Sequence, residues 1–446
     1  LFVKGLDGYH IKLLKDISLT KPYTFSNMVI DINEHTISVS TENNILLKNT
    51  TLTSSNGGTI IATAESTSET IETKNIKAMV QADSSVIQNI SFVMKGSGGY
   101  LSAVKCFGQS KCECCSFSAS GAFQNLRMIL VQDGASATIS KCTFKADTNP
   151  TAAVVAITSY NAVTVSGCTI NINNDSNDTE NTTSAIGVLG STGSVSVSGC
   201  EIKIENHSRY GKSYGIYANS GLSRLSASSC YVYADSHYIG LGGSYGSISV
   251  GIAATCSSAN ISGCNVRGVH SGISLACSSA SIKSCTTKAT GHGGVYFAKV
   301  HGSSSEGTMP PANYTIENST LAWQAADGIF AADSSDPRYS GDNGAGFYIG
   351  GSTNANNITV RMNGCTVIGK KYSGVLRGSS NEYNNSLYMS DTTVNVPMRV
   401  DNKTLALHIG KGCNITPESE VYWNRNGITT YNQAEEMLVF FEDETY

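Results

Sequence analysis

The sequence predicts an all-β solenoid, a chain wound into about a dozen coils of short parallel strands. Two observations carry that expectation. Seven cysteines, Cys142, Cys168, Cys200, Cys230, Cys264, Cys285 and Cys365, sit in one local frame: apolar, any, apolar, any, any, Cys, any, then usually apolar. And residues Gly251 to Cys264 are echoed, almost position for position, by Gly272 to Cys285 at an offset of 21 residues. A frame that recurs every few tens of residues marks a repeat architecture. Twenty-one residues hold about three short strands and their turns, one circuit of a coil stacked on the next at about 4.8 Å.

The frame extends beyond cysteine. Thr50, Ser319 and Thr392 occupy the same slot, and His35 holds it within Ile30 to Ile37. Looser copies centre on Ile90 and Cys115, and Cys413-Asn-Ile415 closes the series. The alternating apolar positions ahead of the slot point inward from a strand. The Ser-Gly that often precedes it predicts a turn or bulge that redirects the chain. A Gly-x-apolar segment, as in Ala185-Ile-Gly-Val-Leu189 and Tyr214-Gly-Ile-Tyr-Ala218, predicts a further strand in each coil. Helix is excluded because the segments are short, β-branched and rich in Gly and Ser.

Composition agrees. Charged residues make up 14% of the 446, against the usual quarter, and there are 44 Gly but only 7 Pro. Polarity comes from hydroxyls and amides, which suits strands and turns. The net charge of −4 gives nucleic-acid binding no electrostatic support. No stretch approaches the about 18 apolar residues of a membrane span.

At this point the chain resembles the right-handed parallel β-helix superfamily, the pectate-lyase-like architecture. The resemblance covers roughly residues 25–415 as a coil pattern, and Asp31-Ile-Asn-Glu-His35-Thr-Ile37 looks like the opening coil of many members. It implies a single-stranded right-handed parallel β-helix of about 12–13 coils with terminal caps. Residues 1–24 are the expected N-terminal cap and 416–446 the C-terminal one, because a solenoid must cover its open ends. Members of the superfamily include polysaccharide lyases, glycoside hydrolases, epimerases, phage tailspikes and adhesins, so fold leaves function open. Location outside the cell or on its surface is the matching expectation.

The 14 cysteines have three readings. The first is an internal ladder of small reduced side chains, since free Cys is among the most buried types. The second is disulfides between coils, centred on Cys106, Cys112, Cys114 and Cys115. The third is a metal at Cys112-Glu-Cys114-Cys115, which lacks a second pair at zinc-site spacing. No metal site is therefore assigned.

Function is expected in the insertions, because the coil positions are used up by packing. Residues 173–184, 205–214, 235–247 and 325–345 all follow the slot strand, so they leave one corner; 299–313 leave another. The shared side collects His207, Arg209, Tyr210 and Tyr214, then Asp235, His237, Tyr238 and Tyr245, then Trp323, Asp327, Phe330, Asp333, Asp336, Arg338, Tyr339 and Asp342. Aromatic rings with carboxylates and Arg suit a sugar chain. His207, Arg209, Tyr210, Asp235, His237, Tyr238, Trp323 and Tyr339 are the candidate ligand-binding residues.

Catalysis by glycoside hydrolysis needs two carboxylates about 5–9.5 Å apart. Asp327, Asp333 and Asp336, with Arg338 and with His292 of Gly291-His-Gly293, are the weaker catalytic candidates. The Asp-Asp and Arg-x-Lys strings of a polygalacturonase-like site are missing. Asp333-Ser-Ser-Asp336 with Asp342 could take a calcium ion, although the pattern is not an EF-hand. Three functions compete: a secreted or surface β-helix that binds polysaccharide or glycan along the inserted-loop face, as an adhesin does; a lyase or hydrolase acting on acidic polysaccharide; and a structural spike. A monomer is expected for the first two and a trimer for the third.

Overall fold

The fold rests on one conformational event repeated at every coil. In the computed structural model, each of the residues Asn49, Asn89, Cys114, Lys141, Gly167, Gly199, Ser229, Gly263, Ser284, Asn318, Gly364, Asp391 and Gly412 has a positive φ between 46° and 73°. Each directly precedes a slot residue of the sequence frame. A left-handed residue turns the chain sharply, and Gly, Asn and Asp tolerate it best. The slot side chain then closes the turn. The Sγ of Cys142, Cys168, Cys200, Cys264 and Cys285 donates to the carbonyl two residues back at 3.3–3.4 Å. The hydroxyls of Thr50, Ser319 and Thr392 do the same at 2.8 Å. Cys, Ser and Thr are interchangeable here because each carries a donor on its β-carbon.

The structure describes residues 2–5, 8–40, 42–65, 70–175, 183–208, 211–219, 221–236, 248–291, 293–297, 311–324, 344–349, 358–370, 372–376, 385–396, 398–400, 405–415, 422–425, 428–430 and 438–441. They fall into two compact units, Leu1–Tyr217 with Ser236–Ser247, and Ala218–Asp235 with Ile248–Tyr446. Each unit is a parallel β-helix in which every coil contributes three strand positions.

In the first unit, the strand before the slot stacks in register as Ile30, Leu52, Ile87, Cys112, Ile139, Val165 and Val197. All seven are buried. The strand after the slot aligns Ile37, Ile60, Phe92, Phe117, Phe144, Ile170 and Ile202. Phe92, Phe117 and Phe144 stack with ring centroids 4.9 and 4.7 Å apart and nearly parallel planes. The third strand aligns Val80, Val104, Ile129, Ile157 and Val188. Second and third strands fuse into continuous runs at Ser91–Phe107, Ser116–Val131 and Thr143–Ser159, bent by register shifts near Gly99 and between Phe123 and Asn125. No insertion interrupts those three coils, so the strand carries straight through the corner. Where the corner does open, Asn174 Nδ2 donates to Asn206 Oδ1 at 2.8 Å and to Thr183 Oγ1 at 2.8 Å, satisfying the buried amides.

In the second unit, the same three positions align Ala227, Ile261, Ile282, Ile316, Met362 and Met389; Val232, Val266, Thr287, Leu321, Val367 and Val394; and Ile252, Ile273, Val295 and Phe347. Tyr314, 1% exposed, sends its hydroxyl to the Cys277 carbonyl at 2.7 Å.

Parallel pairing already includes Gly8–Lys12, which lies beside Met28–Asp31, and it reaches Leu438–Phe441 beside Leu405–Ile409. Antiparallel pairing occurs near the ends, between Phe2–Gly5 and Gly8–Lys12 and between Tyr422–Arg425 and Ile428–Thr430. All 14 cysteines are free thiols; only Cys114 is exposed and Cys413 half-buried. The Cys142 amide donates to the Cys168 Sγ, and the Cys168 amide to the Cys200 Sγ, each at 3.4 Å. Among the described residues, no three His, Cys, Asp or Glu side chains are arranged to hold a metal ion. No helix among the described residues is long and apolar enough to cross a membrane.

Candidate functional site

Most outward positions carry Ser, Thr, Asn or Lys, so a large apolar side chain on an outer face is informative. In the first unit one such cluster lies outside the third strand position. Ala153, Val155 and Ile186 form a buried shelf, with the half-buried Leu189, Tyr214 and Tyr217 packed against it. Val155 and Ile186 are registered neighbours on adjacent strands. The Tyr214 and Tyr217 rings stack with centroids 4.6 Å apart and planes 17° from parallel. Burial, then the neighbouring Tyr217, pushes the Tyr214 phenol up to about 12, so it is a neutral donor at physiological pH.

The chain reaches this arrangement through a tight backbone. Gly187 lies between Ile186 and Val188, and a Cβ there would fall 2.5 Å from the Gly215 carbonyl oxygen on the adjacent strand. Only glycine lets the two strands close to that distance, which holds Ile186, Tyr214 and Tyr217 together.

The shelf continues into polar residues. Arg127 is the registered neighbour of Val155 on the preceding strand, and Asn125 of Ala153. Arg127 is 7% exposed and Asn125 9%. The Arg127 Nε and Nη1 and the Asn125 Oδ1 are buried without a hydrogen-bond partner, as is the Thr158 Oγ1. Burial lowers the Arg127 guanidinium to about 10, with Tyr160 opposing, so it remains cationic at neutral pH. The nearby cations are engaged: Lys105 Nζ donates to the Lys74 carbonyl at 2.7 Å, and Lys74 pairs with Asp133 and lies 4.9 Å from the Tyr160 ring centroid.

In the second unit the third strand position again carries aromatics outside. Tyr296 and Tyr348 are registered neighbours with centroids 5.5 Å apart, and they pack with Ala345 and Tyr372. Lys370 Nζ lies 5.2 Å from the centre of the Trp323 ring.

Of the residues singled out from sequence, Tyr214 lies in the stacked pair above, and three of the candidate ligand-binding residues are also described. His207, in the first unit, is half-buried and its amide donates to the Asn174 carbonyl at 2.9 Å. Asp235, in the second, accepts the Tyr233 hydroxyl at 2.7 Å, and Tyr233 lies under the Arg267 guanidinium at 5.1 Å. Trp323, also in the second, carries the Lys370 contact. Arg209, Tyr210, His237, Tyr238, His292, Asp327, Asp333, Asp336, Arg338 and Tyr339 lie outside the described residues, as do Tyr245, Phe330 and Asp342. Sequence reasoning passed over Arg127, Asn125, Tyr217, Tyr296, Tyr348, Tyr372 and Lys370. One signal was available: Arg127 is the single charge in the otherwise apolar run Leu126 to Val131.

No family model matches the chain, and no curated protein matches it. Solved structures do align. A PL6 alginate lyase in complex with a trisaccharide is 11% identical, covers 98% of this chain and 92% of its own, and has a TM-score of 0.38. The catalytic domain of a GH87 α-1,3-glucanase in complex with tetrasaccharides is 9% identical with a TM-score of 0.34. It covers 97% of this chain, which spans 64% of the glucanase chain. The alginate lyase AlyF-OU02 with G6 is 10% identical over 98% of this chain and 92% of its own, with a TM-score of 0.28. The architecture described above rests on the register of this chain's own strands.

Proposed function

We propose that this chain is a polysaccharide-binding β-helix, secreted or displayed on a cell surface, that holds a glycan against the outer face of the third strand position in its first unit. The observation that carries the reading is the stacked pair Tyr214 and Tyr217 laid on the Ala153, Val155 and Ile186 shelf. Ligand sites are mostly apolar and aromatic, with a few placed polar groups. Flat rings present an apolar face to the C–H face of a pyranose, and the phenols donate to its hydroxyls. The rings and the shelf supply what holding a sugar needs, whereas hydrolysis would need in addition two carboxylates about 5–9.5 Å apart.

Retention of the purified protein on a panel of polysaccharides tests this, with new reducing ends and unsaturated ends assayed in parallel. The expected result is retention on at least one polymer without either product. Tyr217→Leu keeps apolar cover over the shelf and removes the flat ring. A stacking contact worth about 0.5–1.5 kcal/mol per ring predicts up to about tenfold weaker retention for that variant. Retention on no polymer, or unchanged retention for Tyr217→Leu, overturns the assignment. New unsaturated or reducing ends would replace binding with a lyase or hydrolase.

A further inference from the structure

The polar half of the same face carries more than the tyrosines explain. Arg127 is held nine-tenths buried with Nε and Nη1 unpartnered, and Asn125, two residues away, holds an unpartnered Oδ1 under the same degree of burial. A buried donor or acceptor left unmade costs about 1–3 kcal/mol, more for a charge. A fold that lacked any use for the guanidinium would do better with Leu or Met at that place, as replacements of buried charges show. The Arg127 row runs from Ser102, whose hydroxyl donates to the Val104 carbonyl, through Val155 to Ile186, and the Asn125 row runs from Tyr100 through Ala153 to Ser184, yet none of these side chains partners the Arg127 Nε and Nη1 or the Asn125 Oδ1. Registered neighbours project to the same side of a sheet, so the unmade groups adjoin the shelf on which Tyr214 and Tyr217 lie.

We infer that Arg127 and Asn125 form a built site for an oxyanion flanked by a hydroxyl, the chemistry shared by carboxylated and sulfated sugars. The guanidinium supplies donors to the anion, and the Asn125 Oδ1 accepts from the neighbouring hydroxyl. The inference rests on the reading of this face as glycan-binding and narrows it to acidic glycans. It also has a physical side effect. An anion seated on Arg127 makes hydrogen bonds that the free protein lacks, so it stabilises the folded chain in proportion to ln(1 + [L]/Kd).

The experiment is thermal unfolding in galactose, galacturonate and galactose 6-sulfate, each at equal concentration with ionic strength matched by sodium chloride. At a hundred times its Kd, a bound sugar adds about 2.7 kcal/mol. Galacturonate, galactose 6-sulfate or both are expected to raise the unfolding temperature of the wild-type chain, and galactose is not. Which acidic sugar acts identifies a carboxylate or a sulfate as the natural group. Arg127→Leu is expected to abolish the shift. Asn125→Asp places a carboxylate beside Arg127 and is expected to abolish it as well, by occupying the guanidinium from within; it carries the test should Arg127→Leu fail to fold. No shift with either acidic sugar, an equal shift with galactose, or a shift that survives in both variants overturns the site. The two readings fail separately: no retention on any polymer with the monosaccharide shift intact removes the shelf reading, and retention on polymer with no shift from either acidic sugar removes the anion site.

Discussion

The slot corner and the outer face of the third strand are built from the same coils under opposite rules. At the corner each of the thirteen turns is made by a left-handed residue, and in most of them a thiol or hydroxyl ties the turn to the carbonyl two residues back. On the outer face of the first unit the residue changes from coil to coil. Arg127, Val155 and Ile186 follow one another in a single registered row. Stacking requires the first pattern and is indifferent to the second, so repetition marks what folds the chain and its loss marks where the chain is free to do something else.

The difference explains what could be read from sequence. All thirteen turns from Asn49 to Gly412 were legible, because the frame recurs and its slot holds Cys, Ser or Thr in each of these turns but that of Ile90. Within that frame Gly167, Gly199 and Gly263 announce the turn directly, whereas Lys141 and Ser229 reach the same conformation with a side chain that disfavours it, and only the register reveals them. The candidate site was far less legible. A loop rule directed attention to insertions, yet Tyr217, Tyr296 and Tyr348 sit in regular strands, on their outward positions. Arg127 was hidden by its neighbours, because a run such as Leu126 to Val131 reads as buried strand. An outward position can be buried as well, when a shelf of side chains covers it, and strand periodicity alone does not distinguish the two.

The sharpest way to break the comparison is to exchange an aromatic on each side of it. Phe117 stacks between Phe92 and Phe144 and is 1% exposed. Phe117→Ala should cost about 3–5 kcal/mol in denaturant unfolding, through lost burial and the cavity left between two rings. Tyr217→Leu, on the outer shelf, should cost less than about 1.5 kcal/mol because it conserves most of the apolar cover. If the two variants are equally destabilised, the outer tyrosines are core residues and their assignment to ligand falls.

A smaller effect separates the corner from the face by pH. The neighbouring Cys115 thiol, and burial after it, push Cys142 up to about 12; Cys142, and again burial, do the same to Cys168, from an ordinary 9.0. These thiols keep their protons in the folded chain at pH values where the unfolded chain has lost them. The folded state then binds more protons, so stability is full below about pH 9 and falls as pH rises toward 12. Each thiol contributes at most about 1.4 kcal/mol per pH unit in that window. Unfolding midpoints measured from pH 8 to 11 should fall, and the double variant Cys142→Ser with Cys168→Ser should fall less steeply, the comparison cancelling tyrosine and lysine titration. Parallel slopes would show that the corner thiols carry no such linkage.

The smallest effect asks what the slot demands of its side chain. Thr50 and Thr392 already fill it with a hydroxyl donor, so Cys168→Thr should stay within about 1 kcal/mol of the wild type. Cys168→Val has nearly the same shape but no donor, and it should lose a further 0.5–1.5 kcal/mol, about one net hydrogen bond to the Ser166 carbonyl. Ile90 tempers that expectation from within the chain, since it occupies the slot after the left-handed Asn89 with no donor at all. A Cys168→Val variant as stable as Cys168→Thr would mean that the left-handed residue alone makes the turn and the slot only fills space. A deficit would mean that Ile90 is compensated by its larger apolar burial, and that the recurrence of Cys, Ser and Thr reflects the bond each makes as well as the volume each fills.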